Sequence, residues 1–383
     1  MQHTGPTPRA SGSNPQAAIG ASAGPRRVVV GLSGGVDSAV SALLLKDQGM
    51  AVEAVFMKNW DEDDGSEWCT AAADLADARA ICARLEVPLR DVNFSHEYWE
   101  DVFENFLAEY RRGRTPNPDV LCNQQVKFRA FLEYARDLGA EQIATGHYAR
   151  IEYRDGHYRL REALDKRKDQ SYFLYRLNQQ QLSHALFPLG ELPKSRVRAL
   201  ARAAGLAVHA KKDSTGICFI GERPFAQFLA RYIPAQPGPI ESQDGQSLGQ
   251  HQGLAFYTIG QRQGLGIGGR RTGSGAPWYV AAKDHTRNTL IAVQGHDHPA
   301  LHARALEASD VHWISGRAPD FPYACKARIR YRQSARQCRI EAAADGRLTV
   351  YFTSHQWAVS AGQSVVFYNG DECLGGAIID RAL

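Results

Sequence analysis

The sequence predicts an α/β protein built on a doubly wound parallel sheet, with a small central linking domain and a C-terminal β-barrel after it. Three observations predict this. Apolar strands alternate with amphipathic helices from Arg27 to Thr145, prolines and glycines crowd the chain after about Gly221, and short alternating segments separated by turn signals begin near Ala303. In order, strands are expected at Val28 to Leu32, Ala51 to Met57, Leu89 to Phe94 and Gln142 to Thr145. Helices are expected at Val36 to Asp47, closed by Gly49, then at Ala71 to Leu85, Tyr98 to Arg111 and Val126 to Leu138. Pro234, Pro237, Pro239 and the basic glycine-rich run Gly260 to Gly275 mark the central domain. Lys326 to Arg332, Leu348 to Phe352 and Ser364 to Tyr368 read as barrel strands. The chain thus divides into a disordered tail (1–26), a nucleotide-binding domain (27–220), the central domain (221–302) and the barrel (303–383).

Bulk composition narrows the function classes. With 44% hydrophobic and 22% charged residues, the chain has the make-up of a globular protein, and no stretch reaches the ~20 apolar residues of a membrane helix. A formal charge of +4 is too mild to signal nucleic-acid binding by itself, so that question turns on where cations cluster. Seven cysteines without CxxC pairs or metal-ligand spacing point to a reducing, cytoplasmic compartment and to no structural metal. Residues 1–26 lack both acidic side chains and the apolar core of a secretory signal.

The first strand-to-helix turn is Gly31-Leu32-Ser33-Gly34-Gly35-Val36-Asp37-Ser38, whose glycines allow backbone N–H groups and a helix N-terminus to face a phosphate. No lysine follows as in a G-x-x-x-x-G-K-[ST] loop, so the apparatus for γ-phosphate transfer is missing. The SGGVDS pattern matches the pyrophosphatase loop of adenylating enzymes, which split ATP between its α- and β-phosphates to activate a carbonyl or carboxyl oxygen. Asp37 is placed to hold Mg²⁺ near the departing pyrophosphate, or simply to favour the helix dipole. In a doubly wound sheet this loop, Met57 and Gly146-His147 all fall at the carboxyl ends of strands, where ligands bind.

Two cysteines stand in settings that favour a thiolate. Cys122 follows the rigid turn Thr115-Pro116-Asn117-Pro118-Asp119 beside a helix start, and Cys218 follows Lys211, Lys212 and a Ser-Thr-Gly turn. A packing role remains the alternative for Cys122. Two such thiols suit a sulfur relay in which one carries a persulfide and the other resolves it, leaving a disulfide for later reduction. Cys69, Cys82, Cys325, Cys338 and Cys373 read as packing residues.

The motifs SGGVDS, GRTPNPDVLCN, GHYAR, KDQSYFL, KKDSTGICFIGER, GLAFYTIGQRQGLGIGG, PWYV, RYRQ and GQSVVFYNG occur in this order. With them the chain resembles the bacterial tRNA-specific 2-thiouridylases, of the PP-loop ATP pyrophosphatase superfamily, from about Arg27 to its end. The resemblance implies an adenine nucleotide alpha-hydrolase-like catalytic domain and the cofactors ATP and Mg²⁺. It further implies 2-thiolation of the wobble uridine of tRNAs of the Lys, Glu and Gln type, through adenylation of the 2-oxygen and sulfur transfer from a cysteine persulfide. By position, Gly31 to Ser38 would bind ATP phosphates, Met57 and Gly146 would line the adenosine site, and Asn117, Pro118 and Asp119 would meet the target base. Cys122 would be the nucleophile, Cys218 the persulfide carrier and transient disulfide partner, and Asp119 an aid to proton transfer. His147, Lys168, Asp169, Gln170, Arg330, Tyr331 and Gln363 would contact tRNA, and a sulfur-relay or cysteine desulfurase-type protein would donate sulfur.

The alternation of Lys326, Arg328, Arg330 and Arg332 predicts one strand face carrying four cations suited to an RNA backbone. Two rival readings are a ligase that adenylates a small carboxylate, with structural cysteines, and a catalytically idle RNA-binding protein that senses ATP.

Overall fold

The computed structural model describes residues 25–61, 71–213, 225–267 and 275–383. The tail, Cys69, Cys218, Arg270 and Arg271 therefore lie outside the described residues. Strands β1 (Arg27–Gly31), β2 (Ala51–Lys58), β3 (Leu89–Asn93) and β4 (Gln142–Ala144) form a parallel sheet. A hairpin of β5 (Ala149–Arg154) and β6 (His157–Glu162) precedes β7 (Ala185–Leu186), which completes that sheet in the order β3-β2-β1-β4-β7.

The valine-rich β1 is buried on both faces, as a central parallel strand must be. Val29 joins one core layer with Val55, Phe131 and Ile143, whereas Val28 and Val30 join the other with helix α1 (Val36–Asp47) and helix α2 (Ala71–Leu85). The strand order reverses between β2 and β4 around β1, which places the expected ligand crevice at the loop after Gly31.

The central domain is a four-stranded sheet of β8 (Gly238–Ser242), β9 (Ser247–His251), β10 (Trp278–Asp284) and β11 (Thr289–Gln294). Its core comprises Ile240, Leu248, Leu254, Tyr257, Leu265, Val280, Leu290 and Ala292. The barrel is formed by β12 (His302–Trp313), β13 (Tyr323–Arg328), β14 (Arg336–Ala342), β15 (Leu348–Trp357), β16 (Ser364–Asn369) and β17 (Glu372–Ala382). Its six strands close through the β12–β17 pairing, so no strand edge of the ring is left open. Alternate residues such as Ala327, Ile340, Val350, Val365, Phe367 and Ile379 fill its interior.

Barrel and first domain share a sheet. Strand β6 pairs with β17 through Glu372↔Arg161 and Cys373↔Leu160, and Asp371 holds Arg150 and Arg161, each at 2.6 Å. Arg176 grips Asp310 with both guanidinium nitrogens, at 2.6 and 2.8 Å.

This docking corrects the expected four-cation face. Strand β13 ends at Arg328, whose guanidinium turns inward to Asp169 at 2.8 Å and to Glu162, and lies over the Tyr368 ring. Arg330 is largely buried and donates to the carbonyls of Ile259 and Ala358 at 3.2 and 2.9 Å. Burial of their two carboxylate and carbonyl partner sets draws both arginines in; Lys326 and Arg332 remain exposed. Cys82, Cys325, Cys338 and Cys373 are buried and free, in keeping with packing roles, and Cys325 faces Cys338 across β13 and β14 at 3.6 Å between sulfurs.

At the junction of all three domains, the Lys283 ammonium donates to the Gly113 carbonyl at 2.9 Å. Burial pushes this lysine down to about 8. Between that value and the ordinary 10.5 the unfolded chain binds more protons here than the folded chain, so the site's contribution to stability rises with pH. Lys283→Met should therefore gain most over the parent protein at pH 7, and that gain should shrink by about 2–3 kcal/mol as pH climbs past 10. Denaturant unfolding of both proteins at pH 7, 8.5 and 10 checks it; a pH-independent difference would contradict the buried-charge explanation.

Candidate active site

The loop after β1 is shaped by close backbone approach. Gly34 has φ +71°, and a Cβ there would stand 2.3 Å from the Asp74 carbonyl oxygen on α2. Gly146, in the loop after β4, packs so tightly that a Cβ would lie 2.7 Å from the Ser38 amide nitrogen. Gly31 leaves room for Met57, whose Cε would be 2.9 Å from a Cβ at that position. Leu32 and Val36 point into the core, leaving their backbone to line the turn. Gly35 is the extended N-cap of α1 and has no side chain to satisfy the first-turn N–H groups. The Ser38 hydroxyl instead braces the turn, accepting from the Ser33 amide at 3.2 Å and donating to the Gly35 carbonyl at 3.2 Å. The result is a rigid turn with amide donors at a helix N-terminus, the geometry that binds a phosphate.

Asp37 stands in the first turn of α1 inside a charged network. Lys194 Nζ is 2.7 Å from both carboxylate oxygens, and the Tyr148 hydroxyl donates at 2.9 Å. Burial, then the Asp37 charge, pushes the Tyr148 phenol up, so it remains a donor. Lys194 also reaches Asp213 at 2.8 Å, which further holds Lys168 at 2.6 Å and Arg198 at 3.0 Å. Burial raises Asp213, but hydrogen bonds from Lys168 and Lys194 outweigh it and bring the carboxyl down to about 2. Lys211 bonds Asp74, Asp77 and the Gly34 carbonyl at 2.8, 2.6 and 3.2 Å. Its charge therefore ties α2 to the phosphate loop; Cys218, at which it was expected to favour a thiolate, lies outside the described residues.

Among the described residues no group of three or more His, Cys, Asp or Glu side chains is arranged to hold a metal. Asp37 is a single carboxylate beside a phosphate cradle, a donor set that fits Mg²⁺ carried in by nucleotide phosphates rather than a resident ion.

The second half of the site is built on a helical run that begins at Pro118–Leu121 and continues from Cys122 to Asp137. Pro118 at the first position and the Asn117 side chain, which accepts from the Asp119 amide at 3.2 Å, start this helix. Cys122 thus sits in the opening turns of this helical run and is only 1% exposed. The barrel clamps the approach: the Thr115 amide donates to the Ala361 carbonyl at 2.8 Å, and Gln363 donates to the Thr115 carbonyl at 2.7 Å. Tyr331 packs on Phe173 with ring centroids 4.3 Å apart, and the Phe173 carbonyl accepts from Asn123 at 3.2 Å.

The segment 168–173 touches both halves. Gln170 exchanges hydrogen bonds with the Tyr148 backbone at 2.7 and 2.9 Å, on the phosphate-loop side, while Phe173 supports the Cys122 helix. Asp169 is 2% exposed and spends its carboxylate on Ala163, Ser171 and Arg328. His147 is also buried, bonded through Nδ1 to the Thr145 hydroxyl at 2.7 Å between the rings of Phe128 and Phe187. Burial, then the Lys127 charge, pushes His147 well down, so the ring is neutral. Asp213 and Phe225 border the segment that carries Cys218, the first tied to the phosphate-loop network, the second packed on Tyr110 at 5.6 Å.

Sequence reasoning missed Lys194, Tyr148 and Asp213. Tyr148 and Asp213 lie inside motifs noted for other residues, GHYAR and KKDSTGIC; Lys194 carries no local signal. Gly34→Ala should cost about 1–3 kcal/mol and lower nucleotide affinity at least about tenfold, because strain and a clash with Asp74 both distort the cradle. Gly49→Ala, where φ is +78° but nothing lies within 4 Å, should cost stability alone. Thermal melts and ATP titrations of the two variants check this; equal ATP affinity in both would contradict the cradle.

Comparisons with known proteins agree along the chain. A tRNA methyl transferase HUP domain matches residues 26–222, a tRNA methyl transferase PRC-barrel domain matches 226–294, and an aminomethyltransferase beta-barrel domain matches 303–379. The tRNA-specific 2-thiouridylase MnmA of Methylococcus capsulatus is 60% identical over 355 residues, covering 92% of this chain and 96% of that one. The enzyme of the same name from Tolumonas auensis is 57% identical over 356 residues, covering 93% and 96%. With this likeness laid over a phosphate cradle and a thiol-bearing helix in one fold, the chain belongs to the tRNA-specific 2-thiouridylase family of tRNA sulfurtransferases.

Proposed function

We propose that the protein uses ATP to replace the 2-oxygen of the wobble uridine by sulfur in tRNAs of the Lys, Glu and Gln type, releasing AMP and pyrophosphate. One observation carries the reading. A phosphate cradle without a γ-transfer lysine and a thiol at the head of a helix are joined by the same short segment, 168–173. Amide donors at Gly31 to Ser38 bind the phosphates, and Met57 and Gly146 border the adenosine. The wobble base, splayed from its loop, enters beside Asn117, Pro118 and Asp119.

The uridine 2-oxygen attacks the α-phosphorus, the bond to the bridging oxygen breaks, and pyrophosphate leaves. Magnesium bound with the nucleotide would supply positive charge to the phosphates beside Asp37. The terminal sulfur of a Cys218 persulfide then attacks C2. Cys122 thiolate attacks the inner sulfur of Cys218, forming the Cys122–Cys218 disulfide and leaving the outer sulfur on C2. Collapse expels AMP with the original oxygen, and a thiol reductant later supplies two electrons to reopen the disulfide. Asp119 assists proton transfer. Since Cys122 is buried, its neighbours must part as the base enters.

On the RNA side, Tyr331 and Gln363, beside Phe173 and Thr115, join Lys168, Gln170 and Arg330 in contacting the tRNA, and exposed Lys326 and Arg332 meet phosphates. Asp169 and His147 support these contacts from beneath the surface. Sulfur arrives from a sulfur-relay or cysteine desulfurase-type protein, in the cytoplasm. No helix among the described residues is long and apolar enough to cross a membrane.

Purified protein with ATP, Mg²⁺, a sulfur source and unmodified tRNA should yield 2-thiouridine, read by mass in digested nucleosides. Cys218→Ser and Cys122→Ser should each abolish the product while ATP and tRNA affinities stay within about twofold. AMP formed without tRNA or thiolation would favour a ligase for small carboxylates instead; tRNA binding with no AMP at all would favour an idle binding protein.

A further inference from the structure

The phosphate loop has no lysine of its own, yet a lysine from far along the chain is held in the first turn of its helix. Lys194 opens the helix Lys194–Ala203, and its side chain is 11% exposed. It bridges two carboxylates, Asp37 on the loop and Asp213, while Lys168 and Arg198 also bind Asp213. A third carboxylate joins the cluster, since Asp165 accepts from the Lys194 amide at 3.1 Å, so three cations meet three carboxylates at a helix N-terminus, the end whose dipole favours anions. Lys194 is the most enclosed of the three, at 11% exposure against 39% for Lys168 and 30% for Arg198, and it is the cation of this cluster held against the loop carboxylate. The uncapped amide donors of the same turn suit a phosphate anion, and the Lys194 ammonium stands beside them at Asp37. Lys211, the other lysine at the loop, is already neutralised by Asp74 and Asp77 on α2.

We infer that Lys194 is a catalytic residue of the ATP step: its ammonium turns from Asp37 onto the β- and γ-phosphates and stabilises the departing pyrophosphate. The inference rests on the ATP reading above and adds the group that reading lacks. When the α-phosphorus to bridging-oxygen bond breaks, its electron pair stays on the pyrophosphate, which gains one negative charge. An ammonium ion-paired to that oxygen offsets the charge without giving up a proton. A four-carbon stem with rotatable donors allows the change of partner, and Asp213 acts as the positioning residue that keeps the stem aimed at the loop. Asp37 is released at the same moment, free for the cation that accompanies the nucleotide.

The test uses the full-length protein with Lys194→Gln and Lys194→Arg. Inorganic pyrophosphate and AMP serve as separate probes in equilibrium titrations, which need no turnover. Lys194→Gln should weaken pyrophosphate binding at least about tenfold and leave AMP binding within about twofold; Lys194→Arg should recover much of the loss. In pyrophosphate release with ATP and unmodified tRNA, Lys194→Gln should lower kcat by about a hundredfold with KM for tRNA little changed. Equal pyrophosphate affinity in parent and Lys194→Gln proteins overturns the inference. So does a parallel loss of pyrophosphate and AMP binding with a lowered melting temperature, the mark of a merely structural ion pair. Absence of tRNA-dependent turnover in the parent protein would contradict the proposed function, while the titrations would still decide the role of Lys194.

Discussion

The carboxylate of Asp169, 2% exposed, accepts hydrogen bonds from the Ala163 and Ser171 amides, the Ser171 hydroxyl and Arg328 of the barrel. Together these bonds fix the turn from Glu162 to Phe173, with Arg328 reaching Glu162 at its other end. From that turn hang both halves of the site: Gln170 holds the backbone of Tyr148, which holds Asp37, while Phe173 holds Asn123, next to Cys122. Leaving such a charge buried without its arginine costs on the order of 3–5 kcal/mol, so barrel docking and site assembly are energetically one event. A barrel that merely bound RNA would have no need to reach so far into the catalytic domain.

This arrangement accounts for what the sequence made legible. The phosphate loop depends on local geometry, glycines at a strand-to-helix turn, and its shape is written in eight consecutive residues. The same holds for Asn117 and Pro118, whose capping preferences announce the helix that carries Cys122. Apolar periodicity located every strand of the parallel sheet except the two-residue β7, to within a residue or two at the ends. What stayed hidden depends on pairing across sequence distance. Nothing near Lys194 announces that its ammonium will meet Asp37, and nothing near β5 and β6 announces that they will extend the barrel's sheet. Arg328 shows the opposite error: alternation placed it with the surface cations, but a buried Asp169 and Glu162 compete for it and win, because unpaired buried carboxylates cost far more than one exposed arginine gains.

Burial of the Cys122 thiol fits the proposed order of events. A covered thiol is shielded from stray oxidants, and in the proposed reaction it acts only once the base has entered. The clamps on Thr115 from Ala361 and Gln363 give the barrel direct hold of the turn that precedes this helix, so under the proposed function RNA bound there would have a short mechanical route to the thiol.

The central claim is that ATP activates the base oxygen itself, and the fate of that oxygen tests it most directly. In a single turnover with tRNA carrying ¹⁸O at the 2-position of the wobble uridine, mass analysis of the nucleotide products should find one labelled oxygen in AMP for each 2-thiouridine formed. Label appearing in water or in pyrophosphate, with unlabelled AMP, would contradict adenylation of the uridine.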